Sequence, residues 1–383
     1  MNKLPKKKTN NFKYFLLSLV APVVGIVISA LLLFFLILLI RKGSISDTLY
    51  AFRVMGKTLT STKDLGYIIA RAEPLAISGI AAAIAFRAGV FNIGTEGQYY
   101  IGGLVASIYA IYFSIKSPAF HWLNVIFVVL FAMLGGALWA LIPAILKMKK
   151  GVHEVITTIM MNQIAYTTAK YFVNGPLSGV KVGESLEPKT LDFPPSVTFH
   201  KLYDIFHGHF PFPKYIPLYE SLFIAAILIF IVYIIIFYTN WGFEIEMLGT
   251  NPNAAKYSGV PPRLVVFNAM LWSGAIAGLI NLQEIFGIKG YYTHHMTSGL
   301  GFDGIAVALI GYNNPIGVVL AALLFGFLRT AGYNLQFELG IPNSTMDLIT
   351  GFIIIVMVIA SVAMNRYISK LRRKEVLSGA GDR

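Results

Sequence analysis

The stretch "GVFNIGTEGQYYIGG", residues 89–103, places one carboxylate and two side-chain amides among five glycines, between long apolar runs. Glu96, Asn92 and Gln98 therefore stand within a chain that otherwise reads as membrane. A charged side chain at the bilayer centre costs about 2.5–3.5 kcal/mol on insertion scales, so it has to face a cavity or a partner. Gly89, Gly94 and Gly97 also loosen the backbone between two helices. Irregular backbone at membrane depth persists only where protein buries it or where it lines a cavity. Two readings of Glu96 stay open on this basis: a group on a polar path, or a cap for an adjacent helix end. Asn92 and Gln98 carry both donors and acceptors, which suits either a polar solute or loose backbone.

The rest of the chain supplies the membrane. Of 383 residues, 56% are hydrophobic and 13% charged, with mean hydropathy +0.68. Soluble domains carry about 25% charged residues. "YFLLSLVAPVVGIVISALLLFFLILLI", Tyr14 to Ile40, is long enough to cross a bilayer, for which roughly 20 residues suffice. It exceeds the apolar core of a signal peptide, about 7–15 residues, and ends in "RKGS", so it reads as a retained first helix. Further apolar helices are predicted at 65–87, 97–115, 121–146, 154–173, 217–239, 263–286, 315–332 and 345–366.

The net charge of +13 is placed for a membrane protein rather than for nucleic acid. Basic tails at 1–13 and 367–383 flank the transmembrane domain at 14–366, and lysine and arginine beside spans mark the cytoplasmic side. Both termini and "KMKKG" at 147–151 are thus expected inside, and the proline-rich stretch 174–215 outside. Nine full spans would leave the basic tail on the wrong side. The missing crossing falls on "FDGIAVALIGYNNP", 302–315, whose ten or so apolar residues make ~15 Å of helix at ~1.5 Å per residue, half a bilayer. The expected fold is all-α, a polytopic membrane protein of about ten transmembrane helices with two broken regions, near 89–103 and 302–332. Paired discontinuities suggest a duplicated transporter with its pathway at the repeat interface. Asp303 starts the half-helix, where a carboxylate serves as a cap. Asn313 and Asn314, before Pro315, either turn the chain or line the channel.

On the cytoplasmic side, "GTNPNAAKYSGVPP" is punctuated as a short helix. Asn251 can cap it, Pro252 suits its first turn, and Gly259 with Pro261 and Pro262 stops it. Ala254 and Ala255 are expected to give a small-residue face for another protein.

Several chemistries are excluded. His153-Glu154 lacks the second histidine of a zinc motif because position 157 is Thr157, and the histidines at 207–210 and 294–295 have no partner at metal-site spacing. No metal ligand is therefore assigned. "AFRVMGKT", 51–58, has the Gly-Lys-Thr end of a phosphate loop without its glycine-rich turn, so ATP belongs to another subunit. The sequence shows no clustered Ser–His pair and no paired membrane aspartates for an intramembrane enzyme. An ion-coupled secondary transporter is the remaining alternative; it would use the same broken helices with titrating acids.

Four segments occur in order between about residues 65 and 363: "FRAGVFNIGTEGQYYIG" (86–102), "HEVITTIMMN" (153–162), "GTNPNAAKYSGV" (249–260) and "GFDGIAVALIGYNNPIGVVLAALLFGFL" (301–328). Together they resemble the permeases of bacterial ABC importers in the branched-chain amino acid and ribose permease superfamily, nearest its nucleoside or simple-sugar branch. The resemblance implies a permease of the bacterial cytoplasmic membrane that passes a small polar solute, foremost nucleosides, by alternating access. It implies three partners besides lipid: ABC ATP-binding subunits that hold ATP and Mg, a second, related but different permease, and an external substrate-binding lipoprotein. It implies that 249–260 is the coupling helix, with Asn251, Pro252, Asn253, Ala254, Ala255, Lys256 and Gly259 toward the ATPase, joined by His153 and Glu154. The pathway candidates are Asn92, Glu96, Gln98, Asp303, Asn313 and Asn314.

Overall fold

A computed structural model describes residue 28, residues 31–342 except 181–186, and helical positions scattered between 348 and 371. Most of the first span, the last span at 345–366 and most of both basic tails lie outside the described residues. Helix dominates what is described; no strand forms there, only two isolated bridges. Four helices are long and apolar enough to cross a membrane among the described residues: Thr62–Arg87, Pro118–Lys150, Ser221–Tyr238 and Pro315–Leu339.

In chain order the helices are α1 (Leu31–Ile40), α2 (Ile45–Thr60), α3 (Thr62–Arg87), α4 (Thr95–Tyr112), α5 (His121–Lys150), α6 (Glu154–Asn174) and α7 (Leu202–Ile205). They continue with α8 (Ser221–Tyr238), α9 (Asn240–Thr250), α10 (Pro252–Tyr257), α11 (Pro262–Ala277), α12 (Leu300–Ile310) and α13 (Pro315–Leu339). The chain divides into two compact units, 1–57 with 331–383, and 58–330. In the first, the Arg41 guanidinium pairs with Asp47 at 2.8 Å and the Tyr50 hydroxyl donates to Glu338 at 2.7 Å. The phosphate-loop lookalike at 51–58 is helical throughout, part of α2, and has no turn of the kind that cradles phosphate.

The second unit is built on close backbone contacts. Gly274 of α11 and Gly278, which caps its end, stand four apart and meet Gly136 and Ala132 of α5, while Gly102 of α4 meets Gly278. A methyl on Gly136 would strike the Gly274 carbonyl. Small residues at this spacing let helices approach until van der Waals packing holds them where apolar burial contributes little. After α11 the sequence reading is corrected. The span expected to run to 286 stops at Ala277. Leu279, Ile280 and Leu282 bond three residues back, a tight turn at the Gly278 contact. The chain then forms a π-helical segment, Gln283–Lys289, ended by Gly290 at φ +71°.

Two helices in these stretches, α3 and α12, end in left-handed turns. α3 closes with Val90 N–H on the Ala85 carbonyl, Gly89 N–H on Phe86, and Gly89 left-handed at φ +73°. This is a Schellman stop. α12 closes the same way, Asn313 N–H on Ala308 and Tyr312 N–H on Leu309, with Tyr312 and Asn313 near φ +55° and +54°. α13 restarts at Pro315, where the Asn314 side chain accepts the Ile316 N–H at 3.0 Å.

The stretch after α6 lies over the π segment. Thr190 N–H donates to the Tyr292 carbonyl, Phe193 N–H to Gly290 and Phe199 N–H to Phe286, at 2.8–2.9 Å. Phe193 and Phe199 also pack their rings on Phe286.

Candidate functional site

The opening motif forms a closed polar knot. Asn92 donates to the Gln98 carbonyl oxygen at 3.0 Å and to the Ser273 hydroxyl at 2.8 Å, and accepts from Gly94 N–H and the Gln98 amide. The Ser273 hydroxyl in turn donates a hydrogen bond to the Ala81 carbonyl. Both amides are buried, and they are satisfied by neighbours and by loose backbone. Asn162 of α6 braces the same turn, accepting from Gly97 N–H and donating to the Ile93 carbonyl.

Glu96 reaches across to the second interruption. Its carboxylate accepts Gly299 N–H at 2.8 Å, Gly301 N–H at 2.9 Å and the Tyr99 hydroxyl at 2.7 Å. It therefore caps α12, at the end where a helix favours negative charge. Thr95 and Ser78 donate to the Gly301 and Leu300 carbonyls. A side chain on Gly301 or Gly304 would collide with Glu96 or Ser78, so α12 sits flush on α3 and α4. Gly299 takes the cap position, and Asp303, in the first turn of α12, pairs through its carboxylate with Arg329 of α13. Asn313 takes part in the turn.

Arg329 lines a polar cavity of about 380 Å³ between α3, the π segment and α13. Its other polar walls include Tyr67, Arg71, Asn281, Gln283, Glu284 and Lys289. The volume lies within the 300–1,000 Å³ typical of small-molecule sites. The Arg71 guanidinium sits 5.9 Å from the Tyr67 ring centre, and Lys289 pairs with Glu284 at 3.1 Å. Asn281 is buried with no hydrogen-bond partner on its carbonyl oxygen. None of these residues is among the pathway candidates named from the sequence. The signal available was weak: polar letters in "NLQEIFGIK" look like the end of an ordinary span. Only the π turn directs them to one side; such turns often mark functional sites.

α10 begins with the Asn251 side chain accepting Ala254 N–H at 3.1 Å, has Pro252 in its first turn, and stops at left-handed Gly259. Ala255 is fully buried by its own chain and Ala254 half-buried, so the expected small-residue face is corrected: Pro252, Asn253, Lys256 and Tyr257 are what α10 exposes, Tyr257 at 93%. Glu154 accepts Phe91 N–H at 3.3 Å and pairs with Lys147 at 2.7 Å, which ties the start of α6 to the first interruption. His153 precedes it, exposed, at the helix-cap position. Arg87, at the end of α3, donates to the Asn313 carbonyl at 2.7 Å and pairs with Glu246 of α9 at 2.9 Å.

The chain belongs to the branched-chain amino acid transport system / permease component family, whose profile matches residues 65–358. It is 36% identical to a guanosine ABC transporter permease protein of Bacillus subtilis (strain 168), covering 81% of this chain and 85% of that one. It is 32% identical to a glucose ABC transporter permease protein of Haloferax volcanii, over 84% and 83% of the two chains. A nucleoside ABC transporter permease protein of Lactococcus lactis subsp. cremoris is 31% identical over 77% and 79%. No solved structure matches the chain.

Proposed function

We propose that this permease imports nucleosides by alternating access, as one of two related permeases with both termini in the cytoplasm and about ten crossings, α12 being a half-helix. ABC ATP-binding subunits hold ATP and Mg and press on α10; an external lipoprotein delivers the solute. The observation that carries the mechanism is Arg87. One guanidinium bonds α9, which runs into α10, and the Asn313 carbonyl in the turn between α12 and α13. A push on α10 thereby reaches both helix breaks, and α12 shifts against its Glu96 cap beside the cavity. In that cavity Tyr67 offers a ring for a base to stack on, and Asn281 and Gln283 offer amides for base edges and hydroxyls. The nucleoside reading is supported by the guanosine and nucleoside permeases among the relatives. The Haloferax relative favours simple sugar as the second reading.

Reversing charge on the exposed side of α10, Lys256→Glu with Asn253→Lys, should abolish uptake and co-purification of the ATPase while membrane insertion stays normal. Normal uptake in that variant would sink the proposal. Substrate-stimulated ATP hydrolysis across nucleosides and sugars then separates the two solute readings.

A further inference from the structure

Three residues far apart in sequence converge at one end of α5 and α8. His121 opens α5, Glu220 immediately precedes α8, and His200 lies in the segment just before α7. His121 Nε2 is 2.8 Å from Glu220 Oε1, and His200 Nδ1 is 3.9 Å from Glu220 Oε2. All three ligand atoms fall within 4.8 Å of one another. The imidazole rings stand 4.1 Å apart, centre to centre. Tetrahedral zinc with bonds of about 2.0–2.1 Å holds its ligand atoms ~3.4 Å apart, so small side-chain rotations would seat it.

The surroundings are arranged as a metal site needs. His121 Nδ1 is 3.2 Å from the Ser196 carbonyl oxygen, which can only accept, so this nitrogen carries the proton. Nε2 faces the Glu220 carboxylate, which also only accepts, so in the metal-free ring it carries a proton too, one that zinc would displace on binding. Asn124 donates to the same carbonyl at 3.1 Å and holds it in place. The Glu220 side chain is fully buried, yet its Oε2 has no hydrogen-bond partner. Leaving a buried carboxylate oxygen unpartnered is costly, and this one points toward His200. His200 is about half exposed and leaves the fourth side open to water. Two imidazoles and one carboxylate, with no thiolate, suit zinc better than the all-oxygen shells of calcium or magnesium.

We infer that His121, His200 and Glu220 form a zinc site that clamps the segment between α6 and α8 onto the ends of α5 and α8. This goes beyond the transport reading and does not depend on the solute. Sequence spacing concealed it because the ligands are about 79 and 20 positions apart, whereas local zinc signatures place paired ligands a few residues apart.

The test uses the full chain in detergent, stripped with a chelator and titrated with zinc chloride, reading bound zinc and melting temperature. Wild type should retain one zinc per chain and melt higher with it. His207→Ala with His209→Ala should behave the same, which excludes binding by those exposed loop histidines. His200→Ala, at an exposed position, should melt like the metal-free wild type and bind zinc at least about tenfold more weakly. No zinc retained by wild type, or equal retention by His200→Ala, would overturn the inference.

Discussion

Glu96 commits both carboxylate oxygens to a helix that begins two hundred residues later, accepting Gly299 N–H on one and Gly301 N–H on the other. Glu96→Ala would leave those donors without their acceptor, at roughly 1–3 kcal/mol for each buried group. Melting of the purified variant should fall accordingly, and Glu96→Gln, which keeps an acceptor, should fall less. The buried residue His294 makes a second prediction, in the segment between the π segment and α12. Burial, His295 and Lys170 hold its pKa below the usual 6.5, while Glu187 opposes them weakly. The folded form therefore resists a proton that the unfolded chain accepts. Stability is unaffected above about pH 6.5 and declines as pH falls below it, toward the lowered folded value. Melting of His294→Gln should be flatter than wild type between pH 7 and 5.5; parallel curves would refute the assignment. In the sequence, the chemistry of Asn92, Glu96 and Gln98 was legible, since a polar group among apolar neighbours has to find a partner. Which partner was not: the choice between cap and pathway depends on which backbone lies nearby.

At the scale of elements, the stop signals were the most readable part. Gly89 and Gly259 both end helices in left-handed geometry, and Asn251 with Pro252 starts one, because these are local requirements met by few residue types. Gly89→Ala should cost about 1–2 kcal/mol through its φ of +73°. The π segment escaped notice since hydrophobicity averaged over a window does not register one extra residue per turn. The packing of α11 on α5 did have a signal, glycines at 274 and 278 spaced four apart. Gly274→Leu should drive the helices apart and lose the purified monodisperse protein, or at the least 1–3 kcal/mol of overpacking. A melt equal to wild type would contradict the close approach.

Across the whole molecule, membrane class, helix content and most helix positions followed from composition and apolar runs alone. The polar cavity did not, because Tyr67, Asn281 and Arg329 come from three distant stretches that only the fold brings together. The strap of residues 190–199 is tied to residues 286–292, the π segment and the turn after it, by three backbone bonds and two ring contacts. A shift of the cavity wall there should therefore carry the strap with it. A fluorophore at exposed Leu191 would report rearrangements of that strap, giving a handle on the transport cycle that leaves every buried group intact.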